Sequence, residues 1–261
     1  MPLIPPQIAY LTLWPTTACN LACAYCYASQ GEAPQTMDRQ TALAALELAG
    51  GHDGPLHVQL AGGEPTLVPE LIEAVAQWAS QRQAPTRVAV QTNGALLTPA
   101  LAAMFKRWRV AVGLSLDGPP EVQELQRGQA AQVMAGLEIL ERAGVDFYVT
   151  AVVTAASAPH LPRLLLMLAG QAHARGLGLD LLTCRGRAVG GHAAMARPDA
   201  LAGAASRLAQ LTGWLNARRT RPFVLRELER CANPARSFAR PRPAGPWPCI
   251  PRAGSTPAAR P

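Results

Sequence analysis

Residues 8–27 read IAYLTLWPTTACNLACAYCY. A short β-rich run, 8–14, delivers three thiols, Cys19, Cys23 and Cys26, onto the stretch that follows it. The whole chain of 261 residues has six cysteines, and half of them fall within these eight positions. Disulfides come in pairs, and a zinc site or a cubane normally takes four protein ligands. Zinc would need a distant fourth ligand from Cys184, Cys231, Cys249 or a histidine; the nearest histidine is His52, and no CxxC partner follows downstream. Thiolates four and seven residues apart can instead wrap three corners of an iron–sulfur cubane and leave the fourth iron open. The spacing alone admits both.

Outward from this stretch, β-rich runs alternate with amphipathic ones. Strands are expected at 8–14, 56–61, 87–92, 110–116, 145–153 and 177–183, and helices near 38–49, 68–82, 98–108, 129–143, 160–174 and 199–217. Asp38 and Thr98-Pro99 carry helix-start chemistry, and Gly144 stands where a helix-ending glycine belongs. Strand–helix alternation implies parallel strands joined by right-handed crossovers, hence an α/β fold. Polar motifs follow four successive strands: the cysteine triplet, Gly62-Gly63-Glu64-Pro65, Gln91-Thr92-Asn93-Gly94 and Ser115-Leu116-Asp117-Gly118. A doubly wound sheet offers one crevice at its switch point, whereas four consecutive loops aimed at one ligand fit a curved sheet. The expected architecture is a partial (β/α)6 barrel of the TIM type.

The charge is uneven. The chain carries +7, but residues 218–261 hold ten arginines against two glutamates, or +8, which leaves 14 basic and 15 acidic side chains, or −1, in residues 1–217. The expected division is a barrel over 1–217 and an irregular, basic, Pro/Arg-rich tail over 218–261, with little regular structure because prolines recur too often. Few stacking aromatics accompany those arginines, which disfavours a nucleic-acid partner. No apolar run reaches membrane-span length, and the N-terminus has no signal-peptide pattern. Three crowded and three scattered cysteines suit a reducing compartment, so a cytoplasmic location is expected. No histidine pair has helical metal spacing, and there is no Walker A or GxGxxG loop.

CNLACAYCY resembles the CxxxCxxC signature of the radical S-adenosylmethionine (radical SAM) superfamily. The loops AGGEPTL, QTNG and SLDGP resemble those of its SPASM/sulfatase-maturase-like subfamily of peptide- and protein-modifying enzymes, over roughly residues 8–190. The resemblance implies that Cys19, Cys23 and Cys26 hold a [4Fe-4S] cluster whose open iron is chelated by S-adenosylmethionine. Reductive cleavage would then give a 5′-deoxyadenosyl radical that removes a substrate hydrogen. It also implies cofactor contacts. Gly62, Gly63 and Glu64 would meet the methionine amino group, Ser115 the ribose or carboxylate, and Arg127 the carboxylate. Tyr25 and the strand end at Val152 and Val153 would meet the adenine. Asn93 orients the cysteine loop or forms an Asx turn, and Asp117 acts at the cofactor or as a cap. A peptide or protein substrate and an electron donor such as a reductase, flavodoxin or ferredoxin follow from the same resemblance.

The tail departs from the pattern. Relatives carry a seven-cysteine SPASM region, whereas only Cys231 and Cys249 follow the barrel here, with Cys184 as a possible helper or a buried reduced thiol. Two other readings stay open: a radical SAM cyclase resembling the molybdenum-cofactor enzyme, and a nonenzymatic iron–sulfur module derived from a truncated maturase.

Overall fold

A computed structural model describes residues 8–28 and 33–232. Seven strands form one parallel sheet in sequential order: β1 Tyr10–Thr16, β2 Leu56–Gly62, β3 Thr86–Thr92, β4 Ala111–Ser115, β5 Phe147–Val153, β6 Ala174–Leu181 and β7 Val224–Leu225. A doubly wound sheet would reverse direction at a switch point. This order never reverses, so the sheet curls as a barrel does, with β1 and β7 at its edges.

Helices α1 Arg39–Gly50, α2 Pro69–Gln81, α3 Pro99–Arg107, α4 Pro120–Gln126, α5 Ala130–Ala143, α6 Leu161–Ala169, α7 Pro198–Asn216 and α8 Arg226–Ala232 lie between and after the strands. The expected start signals act as read. Asp38 accepts from the Thr41 N–H at 2.7 Å, and Thr98 from the Leu101 N–H at 3.2 Å. Gly144 ends α5 in the left-handed region, at φ 67°.

Strand alternation splits the sheet into two faces. Leu13, Val58, Leu60, Val88, Val90, Val112, Leu114, Val149 and Val153 face the helices and join Leu46, Ile72, Phe105, Leu137, Leu140 and Leu164 in one core. The inner face carries a different chemistry: Tyr10, Thr12, Trp14, Gln59, Gln91, Ser115, Tyr148 and Thr150, several of them half-buried or exposed. Tyr10 stacks on His57 across β1 and β2, with ring centroids 4.8 Å apart.

Four expectations are corrected. The fifth expected helix, 160–174, ends at Ala169, where the Gly170 N–H caps the last turn. The sixth strand accordingly starts at Ala174 rather than 177. A helix, α4, occupies 120–126 with Pro120 at its first turn, where only a loop was expected. Little regular structure was expected beyond 218, yet β7 adds a strand to the sheet and α8 follows it; residues 233–261 lie outside the described residues. Val224-Leu225 is too short for a periodic signal, and its pairing with Gly176 and Leu177 is tertiary. The side chain of Cys231 and all of Cys249 and Trp247 lie outside the described residues. Among those described, no helix is long and apolar enough to cross a membrane.

Candidate active site

The cysteine loop leaves β1 at the C-terminal end of the sheet and is tied down at nearly every step. The Ala24 N–H donates to the Gln126 carbonyl at 2.8 Å. The Asn93 amide reaches Asn20 Oδ1 at 2.8 Å, and Gln129 Nε2 reaches the Asn20 carbonyl at 3.1 Å. Gln129 adopts φ 51°, a left-handed conformation that is costly for a residue with a Cβ, to bring its amide there. Arg187 clamps the loop's far end, its backbone N–H on the Cys26 carbonyl at 3.0 Å and its Nε on the Cys23 carbonyl at 2.8 Å. These bonds use backbone and amide groups, so the sulfurs remain available to metal. Among the described residues only Cys19 Sγ receives donors, Leu21 N–H at 3.4 Å and Asn93 Nδ2 at 3.9 Å.

The GGEP loop is packed directly against this one. The Gly63 and Glu64 N–H groups donate to the Thr16 and Ala18 carbonyls at 2.9 and 2.8 Å. A Cβ on Gly63 would stand 1.9 Å from the Ala18 oxygen. Glycine is therefore required here for close approach of two backbones. Gly62, at φ 123°, makes the turn that allows it.

Glu64 is buried and locks loop to loop. Its Oε1 accepts from the Thr66 N–H, the Thr66 hydroxyl and the Thr92 hydroxyl at 3.0, 2.6 and 2.7 Å, and its Oε2 from the Asn93 N–H at 2.7 Å. Four donors around one carboxylate offset the cost of burying its charge. Asn93 in turn makes an Asx turn, Oδ1 accepting from the Ala95 N–H at 2.9 Å, while its Nδ2 holds Asn20. Both roles expected for Asn93 are present together.

On the opposite side, Asp117 is fully buried and accepts four hydrogen bonds from three residues. Arg127 grips it in a fork, Nε to Oδ2 at 2.9 Å and Nη2 to Oδ1 at 3.1 Å. The Val152 N–H donates to Oδ1 at 2.9 Å, and the Tyr25 hydroxyl donates to Oδ2. The Arg127 guanidinium also lies 5.3 Å from the Tyr25 ring centroid. Tyr25 packs with Leu182 and Ala188, and with Val152 beside them. Burial, and then the neighbouring Asp117 carboxylate, push the phenol well above its usual range despite Arg127. Burial works against the Arg127 charge, but Asp117 overrides it and keeps the guanidinium firmly protonated. Val153 points into the core between sheet and helices, so it is Val152 that reaches this cluster. Ser115, the last residue of β4, accepts from Gln91 Nε2 at 2.9 Å.

Burial raises the Cys19 and Cys23 thiols. The nearby Glu64 and Cys26 add to the effect at Cys19, and Arg127 opposes it at Cys23. Iron must therefore displace protons to bind, as thiolate ligation generally requires. Among the described residues no three His, Cys, Asp or Glu side chains converge as they would on a single ion. Thiolates bound to separate irons of a cubane need not converge. Three sulfurs on one braced loop, beside a glycine-built crevice, suit that group. Cys184 is exposed rather than a buried thiol, its Sγ 3.8 Å from Met195 Sδ.

Sequence reasoning missed Arg187, Gln126 and Gln129, and it gave Gln91, within the QTNG motif, no role of its own. Arg187 lies 164 positions from Cys23, a pairing without a local signal.

The profile of the radical SAM superfamily matches residues 15–155, more than half of the chain, and the chain belongs to that superfamily. Its members use a [4Fe-4S] cluster and S-adenosylmethionine. A serine-type anaerobic sulfatase-maturating enzyme of Klebsiella aerogenes is 31% identical over 160 residues, covering 55% of this chain and 39% of the relative. A GTP 3′,8-cyclase of Synechococcus is 34% identical over 155 residues, covering 53% and 44%. The structure of Streptococcus suis SuiB bound to S-adenosylmethionine superposes with a TM-score of 0.66 at 18% identity, covering 84% of this chain and 51% of that one. That likeness shows the fold. The chain spans about half the length of these relatives or less.

Proposed function

We propose that the chain is a radical SAM enzyme of the maturase type, which removes a hydrogen atom from a peptide or protein substrate. The observation that carries this reading is the mutual locking of the motif loops: Glu64 joins GGEP to QTNG, and Asn93 joins QTNG to the cysteine loop. Cys19, Cys23 and Cys26 would hold the [4Fe-4S] cluster. Bound there, the cluster would supply low-potential one-electron chemistry to S-adenosylmethionine. The chain's own residues bind and orient. Leu21 and Asn93 direct N–H groups at Cys19 and stabilise its thiolate charge. Gly62 and Gly63 would admit the methionine end, the Ser115 hydroxyl would serve the nucleoside, and Tyr25, backed by Asp117 and Arg127, would exclude water. The electron comes from an external donor of the flavodoxin, ferredoxin or reductase type. The sulfatase-maturating relatives support a protein substrate, and the amide, hydroxyl and aromatic inner face suits a peptide.

The 34% match to a GTP 3′,8-cyclase favours a nucleotide as the second reading. Anaerobic reconstitution with iron and sulfide, then dithionite and S-adenosylmethionine, tests both. 5′-Deoxyadenosine should form and should vanish in Cys23→Ala. A cluster that cleaves nothing would identify a nonenzymatic module, and GTP consumption would favour the cyclase.

A further inference from the structure

Arg226 begins α8 directly after β7, in the stretch whose sequence reads as tail. The register of β6 and β7 pairs Gly176 with Val224 and Leu177 with Leu225. Leu225 therefore faces the helices, and Arg226, one step on, belongs to the inner face. Its guanidinium leans over Gly178 of β6, where a Cβ would stand 2.6 Å from the Arg226 Cζ. There it donates through Nη2 to Asp180 Oδ1 at 2.7 Å and through Nε to Glu227 Oε1 at 3.0 Å. Nη2 also donates to the Leu179 carbonyl at 2.5 Å. Gly178 leaves the room that this arginine fills.

Asp180 sits at the C-terminal end of β6, on the inner face, opposite Val152. Val152 donates to Asp117, and Leu182, two residues past Asp180, packs on Tyr25. Asp180 is thus beside the candidate cofactor site. Among the described inward strand positions it is the only carboxylate; the others are aromatic, amide, hydroxyl, small, or basic, as Arg87 and His57 are. Its side chain is 54% exposed, and Oδ2 has no hydrogen bond among the described residues. Asp180, Arg226 and Glu227 together carry −1, so the group that complements them is a cation.

We propose that Asp180, held by Arg226 over the Gly178 floor, is a specificity-determining residue that receives a Lys or Arg side chain of a peptide substrate. The inference rests on the peptide-substrate reading above and names one feature of that substrate. The contact is a solvent-exposed ion pair, and the fixed carboxylate loses little freedom on binding.

The probes are three fluorescein-labelled peptides, identical except for a central lysine, norleucine or glutamate. Binding to the reconstituted full chain, in S-adenosylmethionine, is read by fluorescence anisotropy. The lysine peptide should bind about threefold more tightly than the norleucine peptide and more tightly still than the glutamate peptide. Asp180→Asn should erase that order, and Asp180→Lys should reverse it in favour of glutamate. Asp180 is half exposed, so neither change threatens folding, and unchanged thermal melting checks this. Equal binding of all three peptides, no binding of any, or a lysine preference that survives in Asp180→Asn overturns the proposal. 5′-Deoxyadenosine formation is measured separately. Cleavage without a charge preference sinks only this inference, while absent cleavage with an intact preference sinks only the proposed activity.

Discussion

The Tyr25 hydroxyl donates a hydrogen bond to Oδ2 of Asp117, 92 positions further along the chain, on the same oxygen that Arg127 Nε grips. One carboxylate thus connects the cysteine loop, the end of β4, the turn after α4 and the end of β5. Asp117→Asn would leave the buried Arg127 charge without its counter-ion, a loss expected to cost about 3–5 kcal/mol. Tyr25→Phe keeps the ring packing and removes one donor among four, for about 1 kcal/mol. Urea unfolding of the two variants should show that ranking. Equal losses would mean that Asp117 serves Tyr25 rather than Arg127.

Gly63→Ala tests the contact between the GGEP and cysteine loops. Its Cβ would meet a backbone oxygen, and no rotamer relieves that clash. Stability is expected to fall by about 1–3 kcal/mol. Because the displaced partner is the peptide just before Cys19, iron content after reconstitution should fall as well. Full iron loading with an unchanged melting temperature would show that the two backbones separate freely.

At the opposite end of the barrel, Asp146 predicts a pH dependence. Partial burial alone would raise its carboxyl, but hydrogen bonds from His173 and Arg221, with the Arg221 and Arg175 charges, hold it below the ordinary value. A depressed folded value means that the stabilisation is complete above the unfolded value, near pH 4, and is lost as pH falls through the folded one. The gap in urea midpoint between the wild type and Asp146→Asn should be open at pH 7 and should close below about pH 4. A gap that does not narrow at all as pH falls below about 4 would assign the effect to something other than ionisation.

The sheet and most helices were legible because their signals are local: alternation in VAVQT and VAVGLSL, the caps at Asp38 and Thr98, and the stop at Gly144. The motif loops were legible because cysteines, glycines and a buried acid stand at strand ends. The bracing around them was hidden. Arg187 and Gln129 act on residues more than a hundred positions away, through groups that look like ordinary surface chemistry in the sequence. Two-residue β7 carries no period at all, so Arg226 was read with the basic tail, although register places it on the inner face. Glu64 was expected at the cofactor, yet all four of its donors come from its own and neighbouring loops, and counting donors around a buried carboxylate requires the fold.

Gln91 and Gly113 offer the last test, on adjacent strands of the inner face. A Cβ on Gly113 would stand 2.2 Å from Gln91 Oε1, the far end of a flexible side chain. Gly113→Ala should therefore swing the amide away rather than distort the sheet, breaking its bond to the Ser115 hydroxyl. That loss is worth about 1 kcal/mol, or roughly fivefold in any equilibrium that Ser115 governs. S-Adenosylmethionine affinity, measured by equilibrium dialysis, should weaken by about that factor in Gly113→Ala and in Gln91→Ala. The double variant should be no worse than either, because both changes remove one interaction. Additive losses would show that Gly113 and Gln91 act independently, and unchanged affinity in both would detach Ser115 from the cofactor.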